Sequence, residues 1–169
     1  MFASVRGYFV HMSTPRELAE RVGEDFADRL SERPGFVAYD FMDCGDGEAI
    51  SISVFREAAQ AHDSRELARR WTEQHLADME LTITDSLHGL VVESRRRGGH
   101  ARWARVHGNR GSSAASLAES VMALDGAVDC RVIDVGGSEL LTVGRFAGPV
   151  PDPVGGGEIL VSREAAGVA

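Results

Sequence analysis

The chain has 169 residues, of which 43% are hydrophobic and 26% are charged, and its 18 basic residues against 26 acidic ones give a net charge of −8. No apolar run approaches the roughly 20 residues that a membrane-spanning helix needs, and residues 1–12 alternate like a strand, unlike a secretion signal. The composition therefore excludes a membrane protein and predicts a soluble, globular, cytoplasmic one.

Neither the charges nor the cysteines indicate a protein that binds nucleic acid or metal. Residues 1–94 carry 9 arginines against 18 acidic side chains, whereas nucleic-acid binding needs clustered positive charge. The arginines at 95–97 precede two glycines and have no aromatic neighbours, which favours a solvated linker over 95–100. Cys44 and Cys130 lack the spacing of metal ligands, so we expect two free thiols and no metal site.

A strand and a helix are predicted for the first 35 residues. Residues 3–11 alternate as a strand does. Thr14-Pro15-Arg16-Glu17 then combines an N-cap, a first-turn proline and a glutamate at the third position, which is a capping box. An apolar stripe follows with a four-residue period from Leu18 to Leu30, and Arg33-Pro34-Gly35 ends the helix.

A hairpin, a second helix and a fourth strand are predicted next. Phe36–Asp43 and Ala49–Phe55 are rich in β-forming residues and flank a Gly/Asp turn. A helical region should run from Glu57 to about Glu80, with a break near His62. Its buried stripe should comprise Leu67, Ala68, Trp71, His75 and Met79. A strand over 87–94 completes the order β-α-β-β-α-β of a split βαβ unit.

The second half repeats the first in shortened form. A shift of 91 positions lays residues 26–55 on 117–146 without gaps, with seven identities in thirty. Residues 2–7 (FASVRG) likewise match 103–108 (WARVHG). The proline- and glycine-rich segment 148–157 cannot hold a second helix, and a last strand should follow over 158–163. The sequence thus predicts one unit over 1–94, a linker over 95–100 and a degenerate second unit over 101–169.

Residues 34–79 carry a family resemblance, since they open with Pro-Gly-Phe-Val, form a hairpin that ends in Phe55 and continue into a helix with an alternating Ala and aromatic pattern. This pattern resembles the antibiotic biosynthesis monooxygenase-like superfamily of dimeric α+β barrels. The resemblance spans residues 2–94, and it reaches 101–163 through the internal repeat. It implies tandem ferredoxin-like units whose sheets pair into an intrachain dimeric α+β barrel, the second unit lacking its second helix.

The resemblance also implies a site, because relatives of this fold bind ligands between the helices and the sheet. Polar groups that could reach that cleft in the first half belong to Arg6, Tyr8, His11, Tyr39, Asp40, His62, Trp71 and His75. Either His75 or His62 would suit a general base. Arg6, Tyr8 and Tyr39 could orient a ligand, and Trp71 could stack on it. Strand tyrosines are as often packing residues of the core, and a single large residue at helical spacing, such as Trp71, is more often core than ligand-binding. We expect no closed pocket in the second half.

Three functions follow from the resemblance. The first is binding of a small planar or hydrophobic molecule, with its oxidation by a monooxygenase that needs neither metal nor other cofactor. The second is a non-catalytic ligand-binding or stress-associated role, and the third is haem binding or degradation through His75. A missing helix should also leave an apolar sheet face around Trp103 and Val143, which either the proline- and glycine-rich loop or a second chain must cover, and we predict a homodimer.

Overall fold

The computed structural model describes residues 1–149 and 156–166, and it has an α+β fold. Its strands are β1 (Phe2–Val10), β2 (Phe36–Gly45), β3 (Glu48–Phe55), β4 (Leu81–Arg96), β5 (Trp103–Arg110), β6 (Ala127–Gly136), β7 (Glu139–Phe146) and β8 (Gly156–Glu164). Its helices are α1 (Pro15–Arg21), α2 (Ala27–Ser31), α3 (Ala58–His75) and α4 (Ala114–Met122), with a π-helical turn (Val22–Phe26) between α1 and α2. Within the described ranges, no helix has the length and apolarity needed to cross a membrane. Of the predicted loop 148–157, residues 150–155 lie outside the described part.

The start of α1 confirms the predicted capping box. The Thr14 hydroxyl accepts a hydrogen bond from the Glu17 amide at 3.2 Å, and the Glu17 carboxylate accepts one from the Thr14 amide at 3.0 Å. Two otherwise unpaired amides are thereby satisfied. The apolar stripe from Leu18 to Leu30 is buried against the sheet, and the helix ends before Gly35, whose φ of 72° favours glycine.

The prediction of a broken second helix is wrong. Helix α3 runs without interruption through His62, because Glu57 and Gln60 form its capping box one turn earlier. It also ends at His75, since Leu76 leaves helical geometry and the chain turns back through Glu80, whose φ is 49°. Trp71 and Met79 are buried as expected, but His75 is exposed in the last turn.

Strand β4 is longer at both ends than the predicted 87–94. Its second half pairs with β6, where Arg95 lies opposite Cys130 and Arg96 opposite Asp129. These two arginines therefore belong to the strand, and the predicted linker over 95–100 is wrong at its start. Local sequence could not show this, because the partner strand lies over thirty residues away along the chain.

The eight strands close into an antiparallel barrel in the order β1-β3-β2-β8-β5-β7-β6-β4. Residues 2–96 contribute the neighbouring strands β4-β1-β3-β2, and residues 103–164 contribute β8-β5-β7-β6. The two halves meet at two joins, β2 with β8 and β4 with β6. No strand pair within the described residues is parallel.

The barrel interior is the core that the two halves share. Val5, Ile52 and Val54 of the first half pack there with Ile133 and Val143 of the second. Val143 is thus fully buried, and the prediction of an exposed apolar face around it is wrong. The homodimer stays a prediction, and four exposed apolar side chains lie along β4: Ile83, Leu87, Leu90 and Val92. Both cysteines are free, as predicted, and burial raises the pKa of Cys130 to about 12.

A buried ion network crosses the barrel interior. The guanidinium of Arg145 lies 3.3 Å from the Asp40 carboxylate, 3.0 Å from Asp129 and 2.5 Å from Glu164. Burial by itself would lower the pKa of Arg145. The three carboxylates have the larger effect, and the pKa is raised. Burial also raises the pKa of Asp40, against the opposing effect of Arg145. The Ser162 hydroxyl donates to Asp40 at 2.7 Å, so strands from both halves complete the network.

Both joins depend on a glycine that lets two backbones approach. A Cβ atom at Gly89 would lie 1.9 Å from the carbonyl oxygen of Asp134, and one at Gly157 would lie 1.9 Å from that of Asp43. Both obstacles are backbone atoms, which cannot rotate away. A side chain at either position must therefore displace one strand from the other.

We expect Gly89→Ala to lower the free energy of unfolding by about 1–3 kcal/mol, because overpacking forces the β4–β6 join apart. Chemical denaturation of the purified variant measures this. Gly148→Ala is the matched control, since no atom lies within 4 Å of a Cβ placed there. Equal stability of the two variants would contradict the close approach of β4 and β6.

Candidate functional site

A groove of about 510 Å³ lies between α3 and strands β1 and β4; we call it the α3 cleft. Arg6, Tyr8 and Ile83 line it from the sheet, and His62 lies on its helical side. Residues two apart on a strand share a face, which brings Arg6 and Tyr8 together beneath the helix. The cleft therefore unites three of the predicted site residues.

A small cavity of about 20 Å³ lies deeper, behind the same two side chains. Its other polar groups are hydroxyls, contributed by Ser4, Tyr39, Ser51, Ser53 and Ser64. The Tyr8 and Ser51 hydroxyls are 3.2 Å apart, whereas the Ser4 hydroxyl is buried and has no hydrogen-bond partner among the described residues. This volume suits about one water molecule or one ligand oxygen. The sequence analysis missed these serines, because nothing separates them from ordinary strand residues.

Arg6 connects the cleft with the inner cavity. Its side chain is half-buried, and it makes no ion pair or hydrogen bond with any residue in the described ranges. Most arginines around it are paired: Arg69, for example, binds Glu66 and Glu73 at 2.7 and 2.6 Å. A guanidinium without a carboxylate favours an anionic or strongly polarised ligand oxygen.

Tyr39 is fully buried beside Arg6, on the helix-facing side of β2. Burial raises the pKa of Tyr39 well above its ordinary value. The phenol therefore stays protonated at neutral pH, where it can donate a hydrogen bond to a ligand but cannot act as a base.

His62 and His75 occupy different places on α3. His62 is exposed at the rim of the cleft, and its Nδ1 accepts a hydrogen bond from Arg65 at 2.7 Å, which leaves Nε2 available. His75 lies thirteen residues further along, stacks on Trp71 at 5.0 Å and donates from Nδ1 to the Trp71 carbonyl at 3.0 Å. His75 lines neither cavity, so the two histidines are not brought together.

Trp71 is in the core between the helices. Its Nε1 donates to the Asp25 carboxylate at 2.7 Å, and its ring packs against Phe26 at 5.1 Å. Trp71 lines neither the cleft nor the inner cavity.

Two further candidates lie away from the cleft. The expectation for Asp40 is wrong, because side chains alternate along β2: Tyr39 faces the helices and Asp40 faces the barrel interior, bound to Arg145. His11 is exposed near the end of β1, with its Nε2 2.8 Å from the Thr82 hydroxyl, and it lines neither cavity.

The second half carries an open groove of about 230 Å³ between α4 and strands β5 and β7; we call it the α4 groove. Its walls are mainly apolar, and Arg105 of β5 lies in it. The sequence analysis missed Arg105, although the match of residues 2–7 with 103–108 places it at the position of Ser4 in the first half.

Comparisons with known proteins identify the fold but no family. No family model matches the chain, and no curated protein matches it. Among solved structures, a Fusobacterium nucleatum protein named "Putative monooxygenase" has a TM-score of 0.67 at 8% identity, over 96% of this chain and 94% of that one. An "anthrone oxidase-like protein" has a TM-score of 0.53 at 8% identity, over 98% of this chain and 94% of that one. A Lactobacillus acidophilus protein, also named "putative monooxygenase", has a TM-score of 0.50 at 11% identity, over 87% of this chain and 78% of that one. The chain therefore has a monooxygenase-like α+β fold.

We expect Tyr39 to ionise only when the protein unfolds. Because the folded state holds this proton more tightly, stability should fall as the pH rises above about 10, the ordinary pKa of tyrosine. An alkaline titration followed by phenolate absorbance and by circular dichroism tests this. One of the two tyrosines should ionise together with unfolding, and Tyr39→Phe should remove that phase. Ionisation of both tyrosines in the folded protein would contradict the burial of Tyr39.

Proposed function

We propose that the chain consists of two copies of one split βαβ unit, a complete one in the first half and a shortened one in the second. Strands β2 and β3 correspond to β6 and β7 with a constant shift of 91 residues. The turns correspond as well: the Gly45 amide donates to Asp43 and the Gly136 amide to Asp134, each at 2.9 Å. Only nine residues join β7 to β8, where α3 and its flanking turns join β3 to β4.

We further propose that the first copy binds a small planar or hydrophobic molecule in the α3 cleft and oxidises it with molecular oxygen, without a cofactor. The observation that carries this proposal is that Arg6 and Tyr8 line both the cleft and the inner polar cavity. A flat molecule in the cleft could thus place one oxygen atom against a guanidinium and several hydroxyls. The names of the similar structures, two of them "putative monooxygenase" and one "anthrone oxidase-like protein", support this class of chemistry.

The reaction can be written for an anthrone-type substrate with an activated CH2 group. His62 would remove a proton, and Arg6 with Tyr8 would stabilise the resulting oxyanion. The carbanion would reduce oxygen directly, so that the CH2 group becomes a carbonyl, one oxygen atom enters the product and the other leaves as water. The contribution of the protein is a base, a counter-charge and partial exclusion of water.

A non-catalytic ligand-binding protein with the same cleft is the main alternative. The same residues would bind the ligand in both cases, since Arg6 and Tyr8 can hold a ligand whether or not it reacts. Only turnover separates the two functions. Haem binding through His75 is less well supported, because His75 lines neither cavity.

Oxygen consumption with a panel of anthrones and quinols tests the proposal. We expect Arg6→Met to weaken substrate binding by about 10- to 100-fold, the value of one charged hydrogen bond. His62→Gln should lower kcat by about 10²- to 10⁴-fold while leaving binding nearly unchanged. The matched controls are Arg33→Met and His100→Gln, since both residues are exposed and line neither cavity.

The outcomes separate the alternatives. Binding that depends on Arg6 but is never followed by oxygen uptake would refute the enzyme and leave the ligand-binding protein. Binding that is unaffected by Arg6→Met would refute the α3 cleft as the site.

A further inference from the structure

The α4 groove differs from the α3 cleft in its chemistry. Its helical wall is mostly apolar: Leu117 and Val121 of α4 and Leu124 just beyond it lie beside Ser120, and Phe146 of β7 also lines the groove. Its sheet wall is polar and comes from β5, where Arg105, His107 and Asn109 follow one another at every second position. A ligand that fits must therefore be apolar along one side and polar at one end.

Arg105 is the charged arginine side chain of this groove, and it has no partner among the described residues. Its Nε–H is buried and donates to no acceptor among the described residues, and its side chain forms no ion pair with them. Two neighbouring polar side chains are already engaged: Asn109 donates to the His107 carbonyl at 2.9 Å, and the Thr142 hydroxyl donates to the same carbonyl at 3.2 Å. A half-buried guanidinium with no counter-ion favours an anion that binds from outside.

The distribution of charge around the groove also favours an anionic ligand. None of the described residues that line it is Asp or Glu, although the protein as a whole carries a net charge of −8. The α3 cleft, by contrast, contains Glu66 and Glu73. An anion approaching the α4 groove therefore meets Arg105 without a repelling carboxylate in the wall.

We infer that the α4 groove is a second binding site, for small amphipathic monocarboxylates, with Arg105 holding the carboxylate and the α4 side chains covering the apolar tail. A volume of about 230 Å³ is below the range of about 300–1,000 Å³ typical of drug-sized ligands, so the ligand is a short aliphatic or aromatic acid. This site is independent of the function proposed for the α3 cleft, because the two cavities share no residue.

Calorimetric titration of the full chain with octanoate tests the inference. We expect octanoate to bind with a Kd of about 1 mM or tighter, and octanol, which lacks the charge, to bind at least about 10-fold more weakly. Octylamine, with the opposite charge, should show no binding. Backbone amide shifts on octanoate addition should change along α4, β5 and β7.

Three variants locate the site. Arg105→Met should weaken octanoate binding at least about 10-fold, and Arg105→Lys should restore part of it. Leu124→Glu adds a negative charge at an exposed position of the helical wall and should also weaken binding, without disturbing the core. Arg6→Met is the matched control in the other cavity and should leave octanoate binding unchanged.

Each contrary result would overturn the inference in a distinct way. Absence of octanoate binding would exclude the site itself. Equal affinities for octanoate and octanol, or no effect of Arg105→Met, would exclude the role of the guanidinium. Loss of binding in Arg6→Met alone would place the acid in the α3 cleft, and would leave the function proposed for that cleft intact.

Discussion

The structure depends on one constraint, the closure of two half-sheets over a single interior. Each half-sheet has an apolar inner face that water would otherwise reach, and the other half covers it. The Arg145 network makes this closure specific, because a guanidinium from β7 is neutralised partly by Asp40 of β2 in the other half. Removing one member of a buried ion network typically costs about 3–5 kcal/mol, so misaligned halves would leave a costly unpaired charge.

Closure of the barrel also explains where binding can occur. Apolar side chains and the ion network lie in the interior, whereas the α3 cleft and the α4 groove lie outside the barrel, beside the helices. Helix α3 packs on β1 and β3, with the small polar cavity beneath it and the cleft beside it. In the second half, α4 covers β6 and β7 and leaves the open groove beside Arg105. The same sheet geometry thus presents two surfaces of different chemistry.

Local signals predicted local structure well. The capping box at Thr14, the stripe from Leu18 to Leu30 and the turn before Glu48 all act within a few residues, and the structure confirms them.

The errors of the sequence-based predictions have two sources. The length of β4 is set by its distant partner β6, and the helix α3 begins at a cap formed by Glu57 and continues through the break that was expected near His62. The orientation of Asp40 could have been corrected from sequence, since adjacent strand residues face opposite sides. Arg6, Tyr8 and Tyr39 line one cavity because they share the helix-facing side of the sheet, whereas the pairing of Arg145 with distant carboxylates gives no signal in the sequence.

Nuclear Overhauser effects between backbone protons across the two joins test the closed barrel most directly. Closure predicts cross-strand effects between Val91 and Ile133 on one side and between Phe41 and Val161 on the other, in the same sample. Effects confined to pairs within residues 2–96 and within residues 103–164 would mean that the two half-sheets do not close on each other, and would contradict the account.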